Sequence, residues 1–335
     1  MRTDRMGFVD SFRFLMILLI MSHHIYMFGY SDQYLFSSCW AWVDYFFLLT
    51  GFFTMAHFAG QDSPGSCAKE SLTYTFRKMA AYFPLVFLAV TAQYIAAALP
   101  FLEAGQPKKF IHAFYDWPYE VLLLSSTGIV WPKMPPIWFL SAMALTLPLL
   151  VYVILRFRDL RLILSWFIPF LYYGYMKINT VRDWPNDMVR AFCCMMFGTF
   201  VYFISQKLKS MELSSLKKIF LTAAELTALL LCLYITIFNK ATMNLLPLLF
   251  FVHSVILLSG RSHTAGIKGS LCTYLGALSM PMFLFHWPVG TIAMRLAAGN
   301  TGRLCIYYAG TILLSAAAVF LQRKVKSRQT KADSP

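Results

Sequence analysis

Long apolar runs separated by short polar connections dominate the chain. Each run holds about twenty mostly apolar residues, the length that an α-helix needs to cross the hydrocarbon core of a bilayer. The ten runs lie near 8–29, 39–58, 78–99, 136–155, 162–178, 188–205, 217–238, 243–259, 271–294 and 303–322. The pattern predicts an all-α membrane protein, a polytopic bundle of about ten transmembrane helices.

The remaining sequence leaves no obvious room for an appended soluble domain. We predict one integral membrane domain over 1–322 and a short basic tail over 323–335. The first run follows Arg2 and Arg5, as in a secretory signal, but its length and the lack of a small-residue cleavage site indicate a permanent span. An apolar stretch at 119–130 is too short to cross, so it predicts a re-entrant or interfacial segment on the outer side.

Composition and charge support a membrane protein and disfavour a nucleic-acid-binding one. The chain is 59% hydrophobic and 13% charged, a balance that a soluble domain of 335 residues could not cover with polar surface. Its 29 Lys and Arg form clusters between the apolar runs, and with a cytoplasmic N-terminus 20 of them fall on the cytoplasmic side. This positive-inside bias predicts that both termini are cytoplasmic, with the clusters facing anionic lipid headgroups.

Ionisable residues inside the first span are candidates for function, because charge is costly within a bilayer. At 100° and 1.5 Å per residue, Arg13 and His24 differ by about 20° around the helix and by about 16 Å in height. His23 points about 80° away from Arg13. Asp10 lies three residues before Arg13, close enough for a local ion pair. Arg13 alone also fits a snorkelling anchor at the end of a span, a role that does not explain His24.

Two further residues are expected at the depth of His24. Asp44 enters the membrane at the start of the second span, where its carboxylate could orient the imidazole of His24. His286 lies at a similar height on the ninth span. Two alternatives remain open: a buried hydrogen-bonded pair without chemistry, or a metal bound by histidines, although no ligand spacing indicates a metal site and none is expected.

Four blocks of this sequence resemble the acyltransferase-3 family of bacterial integral membrane acyltransferases. They are Val9-Asp10-Ser11-Phe12-Arg13 followed by His24, Val43-Asp44-Tyr45-Phe46-Phe47-Leu48-Leu49-Thr50-Gly51-Phe52, Trp138-Phe139-Leu140-Ser141, and Leu275-Gly276-Ala277-Leu278-Ser279 through Phe285-His286-Trp287-Pro288. The likeness departs at the third span, where the family often has two arginines three apart and this chain has Lys78 and Ala81. A glutamate common after the third block is also absent.

The resemblance implies an O-acyltransferase of the bacterial cytoplasmic membrane, with acyl-CoA, specifically acetyl-CoA, as the donor. The acceptor would be a hydroxyl of a cell-surface polysaccharide or of its lipid-linked precursor. We expect Arg13, Arg77 and Lys78 to bind the phosphates of the donor at the cytoplasmic rim.

The catalytic residues that we predict are His24, Asp44 and His286. His24 would act as a general base or as a transient acyl carrier, and the sequence does not separate the two roles. The main alternative is a multi-pass transporter or channel with a polar intramembrane site, and a non-enzymatic scaffold is a third class. The sequence leaves the oligomeric state open.

Overall fold

The computed structural model describes residues 7–30, 34–61, 65–178 and 186–332. Its α-helices are α1 Gly7–His23, α2 Trp42–Phe58, α3 Cys67–Glu103, α4 Pro107–His112, α5 Trp117–Val121, α6 Trp138–Arg156, α7 Arg161–Ile178, α8 Asn186–Ser210, α9 Ser215–Phe238, α10 Leu246–Ser259, α11 Ser270–Leu296 and α12 Asn300–Ala332. These residues contain no β-strand, so the predicted all-α fold is confirmed. Arg2, Arg5 and the last three residues of the predicted tail lie outside the described ranges.

Nine helices within the described ranges are long and apolar enough to cross a membrane, and they match nine of the ten predicted runs. The tenth run corresponds to α7. Its first residue, Arg161, lies over the ring of Phe203 near the end of α8, whereas Tyr173 contacts Cys194 near the middle of α8. Helix α7 is therefore antiparallel to α8 and carries the chain back across the bundle.

The two described ends of the chain lie at the same end of the bundle. Gly7 at the start of α1 packs against Cys272, and Asp10 fills the space that a Cβ on Gly276 would occupy. The guanidinium of Arg323, late in α12, lies 5.2 Å from the ring centroid of Tyr274. We call this the inner end and the opposite end the outer end. Helices α1 and α11 thus start together and run side by side in the same direction.

Helix α2 packs closely against α8. A Cβ added at Gly51 would collide with the backbone carbonyl of Met195, and one at Gly198 would collide with that of Leu48. Such reciprocal small residues let two membrane helices approach until their backbones touch. The contact fixes which face of α2 is turned toward α8.

The connection between α3 and α6 folds over the outer end without crossing the bundle. Glu120 is fully buried and accepts hydrogen bonds from the hydroxyl of Tyr94 at 2.6 Å and from the backbone N–H groups of Lys133 and Met134 at 2.6 and 3.1 Å. Trp131, in contrast, is 91% exposed. The apolar stretch 119–130 therefore forms short helical turns held on α3, in keeping with a segment that does not span.

Candidate active site

A narrow cleft lies among α1, α2, α6 and α11 and extends along α1 and α11 from the inner end toward the outer end. Its lining residues are Arg13, Ile17, Ile20, Val43, Phe46, Phe139, Ser279, Met280 and Phe283. Arg13, Ile17 and Ile20 recur at helical spacing on one face of α1, and His24 continues that face. The cleft encloses only about 10 Å³, room for about one water molecule. The path from Arg13 toward His24 is therefore closed in this structure.

His24 and His286 contact each other above the cleft. His24 Nδ1 lies 3.2 Å from His286 Nε2, and the two ring centroids are 5.0 Å apart. The ring of Phe283, a residue that lines the cleft, lies 5.9 Å from that of His286. Helices α1 and α11, which line the cleft, thus also bring the two histidines together.

The neighbours of His286 determine the tautomers of the neutral pair. His286 Nδ1 lies 2.6 Å from the carbonyl oxygen of Phe283 and 3.3 Å from that of Met282, so it must carry the proton. His286 Nε2 then accepts a hydrogen bond from His24 Nδ1. The remaining nitrogen, His24 Nε2, keeps its lone pair and can accept a proton or attack an electrophile.

His23, which precedes His24 in the chain, has different hydrogen-bond contacts. The hydroxyl of Tyr34 donates a hydrogen bond to the backbone carbonyl of His23 and lies 3.3 Å from His23 Nδ1. The ring of His24, in contrast, packs edge-on against Trp287 with centroids 5.5 Å apart. The rings of His23 and His24 also lie 5.0 Å apart, and it is His24 that contacts His286.

Arg13 lies at the inner end of the cleft. Its guanidinium is 3.8 Å from the carboxylate of Asp10, which confirms the predicted local ion pair, and its side chain is 32% exposed. Gly276 on α11 leaves the space into which Asp10 fits. The pair therefore holds the guanidinium beside the opening of the cleft.

Arg77 and Lys78 lie beside a separate and much larger cavity at the inner end. This cavity encloses about 340 Å³ and is lined by His57, Glu70, Tyr74, Arg77 and Lys78. The ammonium group of Lys78 lies 6.0 Å from the ring centroid of Tyr74 and within electrostatic reach of Arg13. The structure thus groups the three predicted donor-binding residues at one end of the bundle.

Asp44 has a partner that the sequence does not predict. Its Oδ1 lies 2.6 Å from Nε of Arg190 on α8. The structure thus pairs Asp44 with an arginine, and the expectation that it orients His24 stays a prediction. The close packing of α2 on α8 turns Asp44 toward that helix. The rings of Trp42 and Tyr45, on either side of Asp44 along α2, pack against Phe12 of α1.

Comparison with known proteins identifies the chain. A model of the acyltransferase-3 family, described as an acyltransferase domain, matches residues 6–321. The chain belongs to the acyltransferase-3 family. Searches of curated proteins and of solved structures found no significant match. The family match covers all helices from α1 through most of α12, so the protein is a membrane acyltransferase, and the transporter and scaffold alternatives lose their support.

Several polar residues of this acyltransferase are structural. Ser141 accepts a hydrogen bond from the backbone of Ser126 and donates one to the carbonyl of Leu123, which ties α6 to the outer connection. Ser279 lines the cleft but donates to the carbonyl of Gly276. Within the described part of the chain, no cluster of three His, Cys, Asp or Glu could hold a metal ion.

The sequence reasoning missed Arg190 as a functional candidate. Arg190 lies inside the predicted span 188–205, where any arginine is costly and calls for a partner. The energetic cost of an arginine within a span could have identified Arg190 as a residue that needs a partner. Asp44, near the outer start of another span, offered the complementary charge.

Proposed function

We propose that this acyltransferase moves an acetyl group from acetyl-CoA to a hydroxyl of a cell-surface polysaccharide or of its lipid-linked precursor. The observation that carries the proposal is the alignment of Arg13, the cleft and the His24–His286 pair along α1 and α11. This arrangement joins a cationic entrance to a base through an apolar passage, which suits a donor with a phosphorylated end and a reactive thioester end.

The donor binds from the inner end. Its phosphates meet Arg13, Arg77 and Lys78, because guanidinium and ammonium groups form charge-assisted hydrogen bonds with phosphate oxygens. The pantetheine arm then follows the cleft. Since the cleft is closed in this structure, entry requires the apolar side chains of α1, α2, α6 and α11 to move apart.

The chemistry takes place at His24 Nε2. In the general-base route, this nitrogen removes the proton from the acceptor hydroxyl as the oxygen attacks the thioester carbonyl, and the departing thiolate of CoA then takes that proton. In the covalent route, Nε2 attacks the thioester first and CoA leaves as its thiolate. The acceptor hydroxyl then displaces the histidine from the acyl group, and the proton of that hydroxyl passes to the thiolate of CoA, which returns His24 to its neutral form. His286 accepts the Nδ1–H of His24 in both routes and so keeps Nε2 available.

The acyl group and the acceptor are both assigned by analogy. The family resemblance implies an acetyl group. The glycan acceptor is proposed by analogy with the acyltransferase-3 family, and it approaches from the outer end.

We place the enzyme in the bacterial cytoplasmic membrane with its inner end in the cytoplasm. The bias of 20 among 29 basic residues supports this orientation, and acetyl-CoA is a cytoplasmic metabolite on that side. A reporter fused to the C-terminus tests it. A reporter that is active only outside the cytoplasm contradicts the orientation.

Transfer of labelled acetyl groups by detergent-purified protein tests the function. We expect transfer to a surface-glycan acceptor, and mass comparison of glycans from wild-type and deletion strains identifies the modified sugar by the mass that is lost. Label retained on the protein without an acceptor, and absent in His24→Ala, supports the covalent route. A purified, folded enzyme that neither transfers nor hydrolyses acetyl-CoA refutes the proposal.

A further inference from the structure

Arg190 contacts three elements of the bundle from its position on α8. Its Nε forms an ion pair with Oδ1 of Asp44 on α2 at 2.6 Å. Its guanidinium carbon lies 4.6 Å from the ring centroid of Trp40, in the turn before α2, and 5.3 Å from that of Trp138 at the start of α6. One planar group thus joins α2, α6 and α8.

Two residues that contact Arg190 are adjacent in sequence to residues that line the cleft. Asp44 is flanked on α2 by Val43 and, two residues on, by Phe46, and both of these line the cleft. Trp138 precedes Phe139, which also lines the cleft. The residues that hold Arg190 are therefore neighbours, along the same helices, of residues that face the donor path.

The aromatic residues beside the cleft are packed on one another. The ring centroid of Phe47 lies 6.0 Å from that of Trp138 and 4.6 Å from that of Phe139, and Phe139 lies 5.3 Å from Phe283 across the cleft. Displacement of α2 relative to α6 would therefore be passed through close-packed rings to the cleft.

We propose that Arg190 is a positioning residue, which holds α2 and α6 in register so that their side chains form the donor-binding cleft. Asp44 then acts through Arg190 and does not touch the substrates. This inference rests on the proposed use of the cleft by acyl-CoA.

The proposal predicts a specific kinetic pattern. Loss of Arg190 lets α2 and α6 shift relative to each other, so the cleft binds the pantetheine arm less well. The Michaelis constant for acyl-CoA should therefore rise by roughly tenfold. The turnover number should change much less, because the histidine pair on α1 and α11 is untouched. The pH profile of turnover should keep its shape, since neither member of the ion pair exchanges a proton in the reaction.

A double-mutant cycle tests the proposal on the full-length protein. The variants are Asp44→Asn, Arg190→Gln and their combination, each measured for donor Michaelis constant, turnover and pH profile. If Asp44 acts only through Arg190, the double variant should be no worse than either single variant. Additive losses, or an altered pH profile in Asp44→Asn, would mean that Asp44 acts on the reaction directly, and they overturn the proposal.

The double variant and one further variant, Arg190→Lys, keep the result interpretable. The single variants leave one unpaired charge, so either can misfold, whereas the double variant leaves none. A double variant with an unchanged donor Michaelis constant overturns the proposal, as does one that fails to insert, because the pair would then support the bundle as a whole. Arg190→Lys keeps the charge but loses the guanidinium that lies 4.6 Å from the ring centroid of Trp40 and 5.3 Å from that of Trp138, and it should reproduce part of the defect.

A matched control uses the ion pair of Arg295 and Glu103, also toward the outer end. These side chains lie 2.5 Å apart, but Glu103 is 64% exposed, and surface pairs contribute little. The combined Arg295→Gln and Glu103→Gln variant should keep the wild-type donor constant. If wild-type enzyme does not use acyl-CoA at all, the proposed function fails, whereas additive losses in an active enzyme refute only the role of Arg190.

Discussion

The two ends of the candidate active site are built differently. At the inner end, Arg77 and Lys78 line a cavity of about 340 Å³ together with His57, Glu70 and Tyr74, and Arg13 is held by one ion pair of 3.8 Å. At the outer end, two rings lie 3.2 Å apart at their closest nitrogens, and backbone carbonyls fix the proton positions. The inner end can adjust to its ligand, whereas the outer end presents one fixed arrangement.

The contrast indicates that the inner end recognises phosphate groups and the outer end transfers protons. Phosphate recognition tolerates flexible side chains, because charge attraction depends weakly on angle. Proton transfer does not, because the base must meet the reacting hydroxyl at hydrogen-bond distance. Substitutions in the histidine pair should therefore lower turnover, and those at Arg13, Arg77 and Lys78 should weaken donor binding.

The largest effect is expected from His24→Ala, which removes the only nitrogen that we assign to the chemistry. Turnover should fall by about 10² to 10⁴-fold, the range typical of a lost general base. Acetylation of glycan per amount of membrane-inserted protein is the measurement. His23→Ala is the matched control and should be far milder, because His23 lies beside Tyr34. Full activity in the His24 variant would remove the histidine pair from the mechanism.

A smaller loss of turnover is expected from His286→Ala. His286 contributes one neutral hydrogen bond to His24, so turnover should fall by about tenfold with donor binding intact. His253→Ala provides the control for deleting a buried imidazole, since His253 is 1% exposed, against 0% for His286, but contacts Phe12 and Tyr45. Equal losses in the two variants would indicate a packing effect and would weaken the assigned role of His286.

Arg13→Ala should raise the donor Michaelis constant while turnover stays nearly unchanged. The lost contact to phosphate is worth about 1.5 to 3 kcal/mol, which corresponds to about 10- to 100-fold in affinity. Titration with labelled acyl-CoA measures it directly. Arg77→Ala is the comparison at the same end. Because Arg77 is exposed, its effect should be smaller and should disappear at high salt. Normal donor binding in the Arg13 variant would refute the cleft as the donor path.

The smallest effect on catalysis is expected from Glu120→Gln, which tests the rigidity of the outer end. An amide can replace one accepting oxygen, but its NH₂ group would face the N–H of Met134 and leave that donor unpaired. We expect a loss of about 1 to 3 kcal/mol in the stability of the outer connection. Proteolysis of the connection from the outer side reports it. Unchanged protease resistance would show that Glu120 does not hold the segment.

Helix periodicity accounts for most of what the sequence predicted correctly. Apolar runs of the right length specify nine spans by composition alone, and α7 is recognisable as the tenth by its place between α6 and α8. The shared face of Arg13 and His24 follows from the geometry of a single helix. The local pair of Asp10 and Arg13 needs no information beyond three residues of spacing.

Contacts between helices distant in sequence were harder to predict. Asp44 pairs with Arg190 because Gly51 and Gly198 bring α2 onto α8, and neither glycine reveals its partner in the sequence. The depth of α2 depends on the path of the preceding turn, which composition does not determine. The sequence predicted only that His24 and His286 lie at a similar height. The parallel packing of α1 and α11 brings them within hydrogen-bond distance.

The closed cleft also has a kinetic consequence. An enclosed space of about 10 Å³ excludes all but about one water molecule, so a thioester that enters it is shielded from hydrolysis. Because the side chains must part before the donor arm can enter, association should be limited by opening and not by diffusion. Once the side chains close around it, the bound donor should dissociate slowly. Its thioester should then stay intact until an acceptor binds.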